Sequence, residues 1–207
     1  PYEELLEDPD VDAVYIPLPN SLHCQWVEKA ARAKKHILCE KPLALNEAQA
    51  QHMFEVCEEE GVLLMEAFVY RHAPLIQKVK QVIEEGAIGK VKYIESHLTD
   101  LLTDMGNIRM NKDLGGGSFY DMACYNISAI SYLLGFKEPA EVKALAEMSP
   151  EYGVDVSNTA ILKYEDGRPK TELNFYNFGS AGQIQVDNQV SSFSYDNLLI
   201  PEVVYLD

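Results

Sequence analysis

The 207-residue chain has no apolar run near the roughly 20 residues that a membrane-spanning helix needs, and it does not open with a charged and then apolar signal segment. It also has few basic residues: 17 Lys and Arg are outnumbered by 33 Asp and Glu, so the formal net charge is −16. Because binding a phosphate backbone requires a basic surface, nucleic-acid binding is disfavoured. The sequence therefore predicts neither a nucleic-acid partner nor a membrane partner.

Cysteine is scarce as well. The chain has four cysteines with no C-x-x-C pair, and its five histidines are not spaced with them as metal ligands. This pattern excludes a disulfide scaffold, predicts no metal site, and favours reduced thiols in a cytoplasmic protein. Hydrophobic residues make up 47% of the chain and charged residues 24%, which is typical of a folded globular protein.

The first third of the sequence alternates short apolar runs with amphipathic segments. The predicted strands are 12–17, 36–39 and 62–65. A helix capped by Asn20 or Ser21 follows the first strand, and a helix capped by Asn46 and ended by Gly61 follows the second. Strands that alternate with helices through tight loops predict a parallel sheet covered by helices.

The pattern changes after residue 70. A helix is predicted over 74–85 and a strand begins at residue 91, and beyond residue 140 one strand follows another. These predicted strands are 91–98, 141–148, 159–164, 171–178 and 183–186. Asp166-Gly167 is typical of a hairpin turn, so the strands are expected to form an antiparallel sheet. The chain is accordingly divided into residues 1–69 and residues 70–207.

One stretch, residues 114–136, is too apolar for a surface helix, because Asp121 is its single charged residue. Asp121 is expected to be largely buried, where a carboxylate must be paired or hydrogen-bonded. It either ties down a neighbouring backbone or an arginine such as Arg109, or forms with Tyr125 a pair that lines a pocket and moves protons. The glycines at 115–117 permit close approach of a ligand or of another chain segment, or form a flexible turn.

Lys41 follows the second predicted strand, at the edge where open α/β sheets bind their ligands. Pro42 fixes the main chain beside it, so the ammonium can be held in one direction to stabilise negative charge on an oxygen. The alternative is a solvent-exposed lysine in a loop.

Two motifs, Glu40-Lys41-Pro42 and GGGSFYDMACY at 115–125, resemble those of the Gfo/Idh/MocA family of NAD(P)-dependent oxidoreductases. Three further matches occur in the family's order: Pro17-Leu18-Pro19-Asn20 with His23, the run 65–71 before Pro74, and the run 86–91. The resemblance thus covers nearly the whole chain. Tyr125 is similar to the branch that contains glucose-fructose oxidoreductase and dihydrodiol dehydrogenase, since inositol dehydrogenases carry histidine there.

The resemblance implies an α/β fold: the C-terminal part of a Rossmann-type parallel sheet, followed by an α+β domain with an open, mainly antiparallel sheet. It implies a homodimer or homotetramer through that second sheet, and hydride transfer between NAD or NADP and a sugar, polyol or dihydrodiol-type alcohol. The implied catalytic residues are Lys41, Asp121 and Tyr125. The implied cofactor-binding residues are Pro17, Leu18, Pro19, Asn20, His23, Glu40, Lys41, Pro42 and Arg71.

Tyr125 is the acid or base that the resemblance implies for the reacting oxygen. A tyrosine has an ordinary pKa of about 10, so it is expected to need a nearby cation to react near neutrality. Lys41 is expected to supply that cation.

The sequence departs from the family because it lacks the G-x-G-x-x-G turn that holds the pyrophosphate. It also begins at Pro1, so the first part of the Rossmann domain, roughly 60 residues or two βαβ steps, is expected to be missing. The last strands of the sheet are expected to be missing too. Two alternatives to an enzyme stay open: a non-catalytic nucleotide- or sugar-sensing regulator on the same scaffold, and a sheet module that binds only itself.

Overall fold

The computed structural model describes residues 2–164 in full and the backbone of residues 170–176 and 202–204. The helices are α1 (Tyr2–Glu7), α2 (His23–Arg32), α3 (Glu47–Glu60), α4 (Pro74–Glu84) and α5 (Cys124–Leu133). The strands are β1 (Ala13–Ile16), β2 (His36–Cys39), β3 (Leu64–Glu66), β4 (Tyr93–His97), β5 (Glu141–Met148), β6 (Asp155–Lys163), β7 (Lys170–Tyr176) and β8 (Glu202–Val204). They form one parallel and one mainly antiparallel sheet, which confirms the predicted α/β fold class. No described helix is both long enough and apolar enough to cross a bilayer.

The first sheet has the order β1-β2-β3, and both strand pairs are parallel. Its side chains alternate between two faces. Ile16 and Cys39 are buried against α2 and α3, whereas Tyr15 is 53% exposed and Leu38 is 38% exposed. Within the described residues, these helices thus cover one face of the sheet, although a parallel sheet is usually covered on both. The loops that follow β1 and β2 emerge side by side at the same edge.

The predicted ends of α3 are confirmed. The Asn46 side chain accepts a hydrogen bond of 3.0 Å from the backbone three residues on, and Gly61 ends the helix with a φ of 69°. The predicted side-chain cap of α2 is wrong. A 3₁₀ turn over Asn20–Leu22 precedes that helix, and the Asn20 amide donates instead to the carbonyl of Gly115 at 2.8 Å.

The second sheet has the order β5-β6-β7-β4-β8. Its pairs are antiparallel except for β4 and β7, which are parallel. Ile130 of α5 packs in one apolar cluster with Ile94 and Ala160 of this sheet. The predicted strand 183–186 and the Asp166-Gly167 turn lie outside the described residues.

The apolar stretch 114–136 contains the helix that connects the two sheets. It starts with a π-helical turn, Phe119–Ala123, and continues as α5. Ala123 and Asn126 are fully buried, as expected for an enclosed helix. The π-helical turn reaches the loop after β2 through Asp121, while α5 packs on the second sheet.

Candidate active site

A cavity of about 230 Å³ opens at the carboxyl ends of β1 and β2. The loops that follow these two strands form one wall, and the glycine-rich loop before the π-helical turn forms the other. Open α/β sheets bind their ligands at this edge. The lining residues are Pro17, Leu18, Asn20, Glu40, Lys41, Ile108, Arg109, Leu114, Gly115, Gly116, Gly117 and Asp121.

The structure brings together two of the three predicted catalytic residues in this cavity. Lys41 Nζ donates to Asp121 Oδ1 at 3.1 Å and to the Asp121 carbonyl at 2.8 Å. Arg109 Nε donates to the other carboxylate oxygen, Oδ2, at 2.6 Å. The side chains of Lys41 and Asp121 are only 12% and 13% exposed, so Lys41 is not a loosely exposed loop lysine. Asp121 thus makes the arginine contact that the sequence left open, and it also fixes the ammonium of Lys41.

Tyr125 lies beside this ion pair, with Lys41 Nζ 4.6 Å from the centroid of its ring. Its ring meets those of Phe68 and Tyr70 edge-on, at centroid distances of 5.6 and 6.2 Å. Burial raises the pKa of Tyr125 above its ordinary value, and nearby acidic groups raise it further. The ammonium of Lys41 lies close to the ring, but burial and the acidic groups outweigh the positive charges nearby, so the pKa of Tyr125 stays above its ordinary value. Among the residues that the structure describes, none hydrogen-bonds to the Tyr125 hydroxyl.

Five of the predicted cofactor-binding residues line the cavity and four do not. Those that line it are Pro17, Leu18, Asn20, Glu40 and Lys41. Those that lie outside the lining are Pro19, His23, Pro42 and Arg71. His23 is completely buried, so its ring supports the loops of the cavity from behind.

Arg71 takes part in a separate cluster. Its guanidinium donates to the Ser128 hydroxyl at 2.7 Å and stacks on the rings of Phe68 and Phe136, 4.9 and 5.4 Å from their centroids. These contacts account for its position without a ligand. Contact between Arg71 and a cofactor stays a prediction.

Gly115 allows the two walls of the cavity to meet. It adopts a φ of 76°, and a Cβ on it would lie 2.7 Å from Leu45 Cδ2 and 2.9 Å from Asn20 Cβ. Only glycine permits this approach without a shift of one loop. Of the uses that the sequence offered for the triple glycine, close approach to another chain segment is the one observed at this position.

The sequence did not reveal Asp155, the first residue of β6. One of its carboxylate oxygens accepts hydrogen bonds from Ser118 Oγ at 2.8 Å, from Phe119 N at 2.6 Å and from Asn158 Nδ2 at 2.6 Å. These bonds fix the start of the turn that carries Asp121. No local pattern marks Asp155, because its hydroxyl partner lies 37 residues upstream.

Comparison with known proteins shows which family the chain resembles. Residues 1–68 match the family described as "Oxidoreductase family, NAD-binding Rossmann fold", and residues 76–182 match the one described as "GFO/IDH/MocA C-terminal domain". D-xylose 1-dehydrogenase (NADP(+)) 2 from Haloferax volcanii is 41% identical over 167 residues, which cover 80% of this chain and 50% of the relative. Trans-1,2-dihydrobenzene-1,2-diol dehydrogenase from Xenopus tropicalis is 35% identical over 167 residues, 81% of this chain and 50% of the relative.

A solved structure supports the same relationship. KijD10, a 3-ketoreductase from Actinomadura kijaniata in complex with NADP and TDP-benzene, matches with a TM-score of 0.78 and 37% identity, over 86% of this chain and 54% of that chain. The chain spans about half the length of the curated relatives it matches. The resemblance carried by Glu40-Lys41-Pro42 and by the glycine-rich motif is confirmed. The chain belongs to the GFO/IDH/MocA family of oxidoreductases.

Proposed function

We propose that the protein is an NAD- or NADP-dependent oxidoreductase that transfers a hydride between the nicotinamide and a carbinol carbon of a sugar, polyol or dihydrodiol-type alcohol. The observation that carries this proposal is the Lys41–Asp121 ion pair beside Tyr125, at the sheet edge where such ligands bind. The names of the relatives, which include a xylose dehydrogenase and a 3-ketoreductase, support the substrate class.

The cavity suits one end of the cofactor. Its volume of about 230 Å³ is smaller than the roughly 300–1,000 Å³ of pockets that enclose a whole drug-sized ligand, so it suits a nicotinamide ring with a small substrate. Pro17 and Leu18 offer an apolar wall for the ring, while Asn20 and Glu40 offer polar groups for its amide and ribose. When bound, the nicotinamide gives or accepts the hydride.

Lys41 and Asp121 stabilise the negative charge on the substrate oxygen. The substrate oxygen is negative in the alkoxide, which forms when a carbonyl carbon accepts a hydride and which an alcohol must become before its carbon gives one up. A fixed cation stabilises that charge without having to reorganise. Asp121 holds the Lys41 ammonium through two hydrogen bonds, so the cation is oriented before the substrate arrives. Arg109 shares the carboxylate of Asp121, so the cluster of two cations and one anion has a net positive charge.

Tyr125 exchanges a proton with the substrate oxygen. Because burial raises its pKa, Tyr125 is a protonated phenol at neutral pH. It therefore donates its proton to the substrate oxygen when a carbonyl is reduced, and it takes the proton back when an alcohol is oxidised.

Three wider features belong to the same proposal. Residues 1–69 form the cofactor-facing unit, and residues 70–207 form the substrate and self-association unit. The surface of β5 supports a homodimer or homotetramer, because Val142, Leu145 and Met148 are 56%, 79% and 55% exposed there. All four cysteines are free thiols, which supports a cytoplasmic location.

The proposal is tested with the full-length protein and a panel of sugars, polyols, dihydrodiols and the corresponding ketones. Absorbance of the reduced nicotinamide is followed with each of the two nucleotides. Turnover of at least one member of the panel is expected. Nucleotide binding without turnover of any member would instead favour the sensing regulator, and no nucleotide binding at all would favour the sheet module.

Gly115→Ala is expected to weaken nucleotide binding about 10-fold, a loss of about 1.4 kcal/mol, because the new methyl group pushes the two walls of the cavity apart. Gly135→Ala is the matched control. Gly135 has the same φ of 76°, but no atom lies within 4 Å of its Cβ position, so this variant carries the backbone strain alone. Nucleotide affinity is measured by titration of protein fluorescence. Equal affinities of the two variants would contradict the steric argument.

A further inference from the structure

We propose that His23 is a positioning residue that holds the two strand-end loops of the cavity together as an imidazolium, donating a hydrogen bond to each loop. Its effect on catalysis rests on the function proposed above, whereas the bridge itself does not. His23 is the first residue of α2 and is fully buried. Its Nδ1 lies 2.9 Å from the carbonyl oxygen of Pro42, and its Nε2 lies 2.8 Å from the carbonyl oxygen of Leu18.

The chemistry of the two partners determines the protonation of the ring. A neutral imidazole has one N–H and one nitrogen lone pair, whereas both partners of His23 are carbonyl oxygens, which only accept. A neutral ring would therefore place a lone pair against an oxygen at hydrogen-bond distance, in a site that water does not reach. Only the imidazolium donates to both oxygens, and an unsatisfied buried polar group is costly.

The surroundings contain a counter-charge for the imidazolium. Glu66 of β3 interacts electrostatically with His23, and its Oε1 accepts a hydrogen bond of 2.8 Å from the backbone of Leu43, one residue after the His23 partner. Burial raises the pKa of Glu66, while the positive charges of Arg71 and His23 act to lower it.

The other ionisable groups next to the bridge are already engaged or neutral. Glu40 accepts a hydrogen bond from the Tyr15 hydroxyl at 2.6 Å, and Lys41 is paired with Asp121. The Cys39 thiol stays neutral, because burial raises its pKa to about 12. Glu66 is thus the carboxylate to which the charge of His23 couples.

The bridge sets the position of the reacting cation. Leu18 lies in the cavity wall after β1, and Pro42 directly follows Lys41 in the wall after β2. A ring that bonds both carbonyls fixes the separation of the loops after β1 and β2, and hence the place of the Lys41 backbone. Loss of one bond lets the loop that carries Lys41 move.

Nitrogen NMR of the full-length protein, labelled in its histidine rings, tests the charge directly at pH 7. The His23 signal is assigned by elimination, with single Gln variants of the other four histidines, so that no His23 variant has to fold. Protons on both ring nitrogens of His23 are expected, and the signals of the exposed His36 and His72 serve for comparison. One unprotonated nitrogen on His23 would overturn the proposal, whatever the activity of the protein.

A kinetic measurement tests the positioning. His23→Gln is expected to lower kcat/KM about 10²-fold, because a small misplacement of a reacting group has an effect of that size. The loss is expected in kcat more than in KM, because the bridge places the Lys41 cation, and circular dichroism checks that the variant is folded. A native kcat/KM in His23→Gln would contradict the positioning role, whatever the NMR result.

Discussion

Lys41→Met is expected to lower turnover of the full-length protein about 10³-fold while the fold is retained. The substitution removes the cation that Asp121 holds towards the cavity, and methionine keeps most of the side-chain volume. Breaking a buried ion pair usually destabilises a protein because one charge loses its partner. Here Asp121 keeps the Arg109 guanidinium at 2.6 Å, so the loss of stability is expected to be small. Steady-state kinetics and thermal unfolding measure the two effects separately.

Lys80→Met is the matched control for this variant. Lys80 Nζ donates to the carbonyl of Tyr132 at 2.8 Å and lies 4.3 Å from the centroid of its ring, much as Lys41 does with Asp121 and Tyr125. It does not line the cavity. Turnover is therefore expected to stay near the native value. A loss in Lys80→Met as large as that in Lys41→Met would remove the argument for a catalytic cation.

Tyr125→Phe is expected to lower turnover by about 10²-fold to 10⁴-fold, the usual contribution of a positioned acid or base. Because burial raises the pKa of Tyr125, the phenol stays protonated through neutral pH. Carbonyl reduction by the native protein should then be constant around neutrality and fall only at high pH, while alcohol oxidation should rise with pH. Both trends should disappear in the variant, as measured by the pH dependence of kcat.

Tyr132→Phe serves as the control for this measurement. Tyr132 lies on the same helix, seven residues further on, and its ring contacts Lys80 instead of Lys41. Removing the Tyr132 hydroxyl should leave both the turnover rate and the pH dependence of that rate unchanged. A native pH profile in Tyr125→Phe would show that another group moves the proton.

Local chemistry explains which parts of the fold were predictable. Asn46 and Gly61 delimit α3 because a side-chain cap and a left-handed glycine act on backbone groups within a few residues. Asn20 has the same capping chemistry, but its amide bonds the Gly115 carbonyl 95 residues away. No window of sequence around Asn20 contains that partner, so the predicted cap failed where a distant contact replaced a local one.

In the candidate site, too, local features were predictable from the sequence, whereas contacts between distant segments were not. The strand-end position of Lys41 and the isolated charge of Asp121 pointed to both residues, yet their direct ion pair was not predicted. Lys41 lies beside Tyr125 as expected of a nearby cation, yet the pKa of Tyr125 is raised, because the burial of the phenol depends on the packing of separate segments. Residue type and sheet topology thus predict which groups belong to the site, whereas their contacts and pKa values depend on burial and orientation.

The Lys41–Asp121 contact joins residues that are 80 positions apart in the chain. The entropy of closing such a loop grows only slowly with its length, so the contact is not excluded on that ground. It can form, however, only after β2 has joined the first sheet and the π-helical turn has settled against the second. Contacts of this kind form late in folding and act on the unfolding rate more than on the folding rate. During refolding, recovery of activity should therefore lag behind recovery of the helical circular dichroism signal.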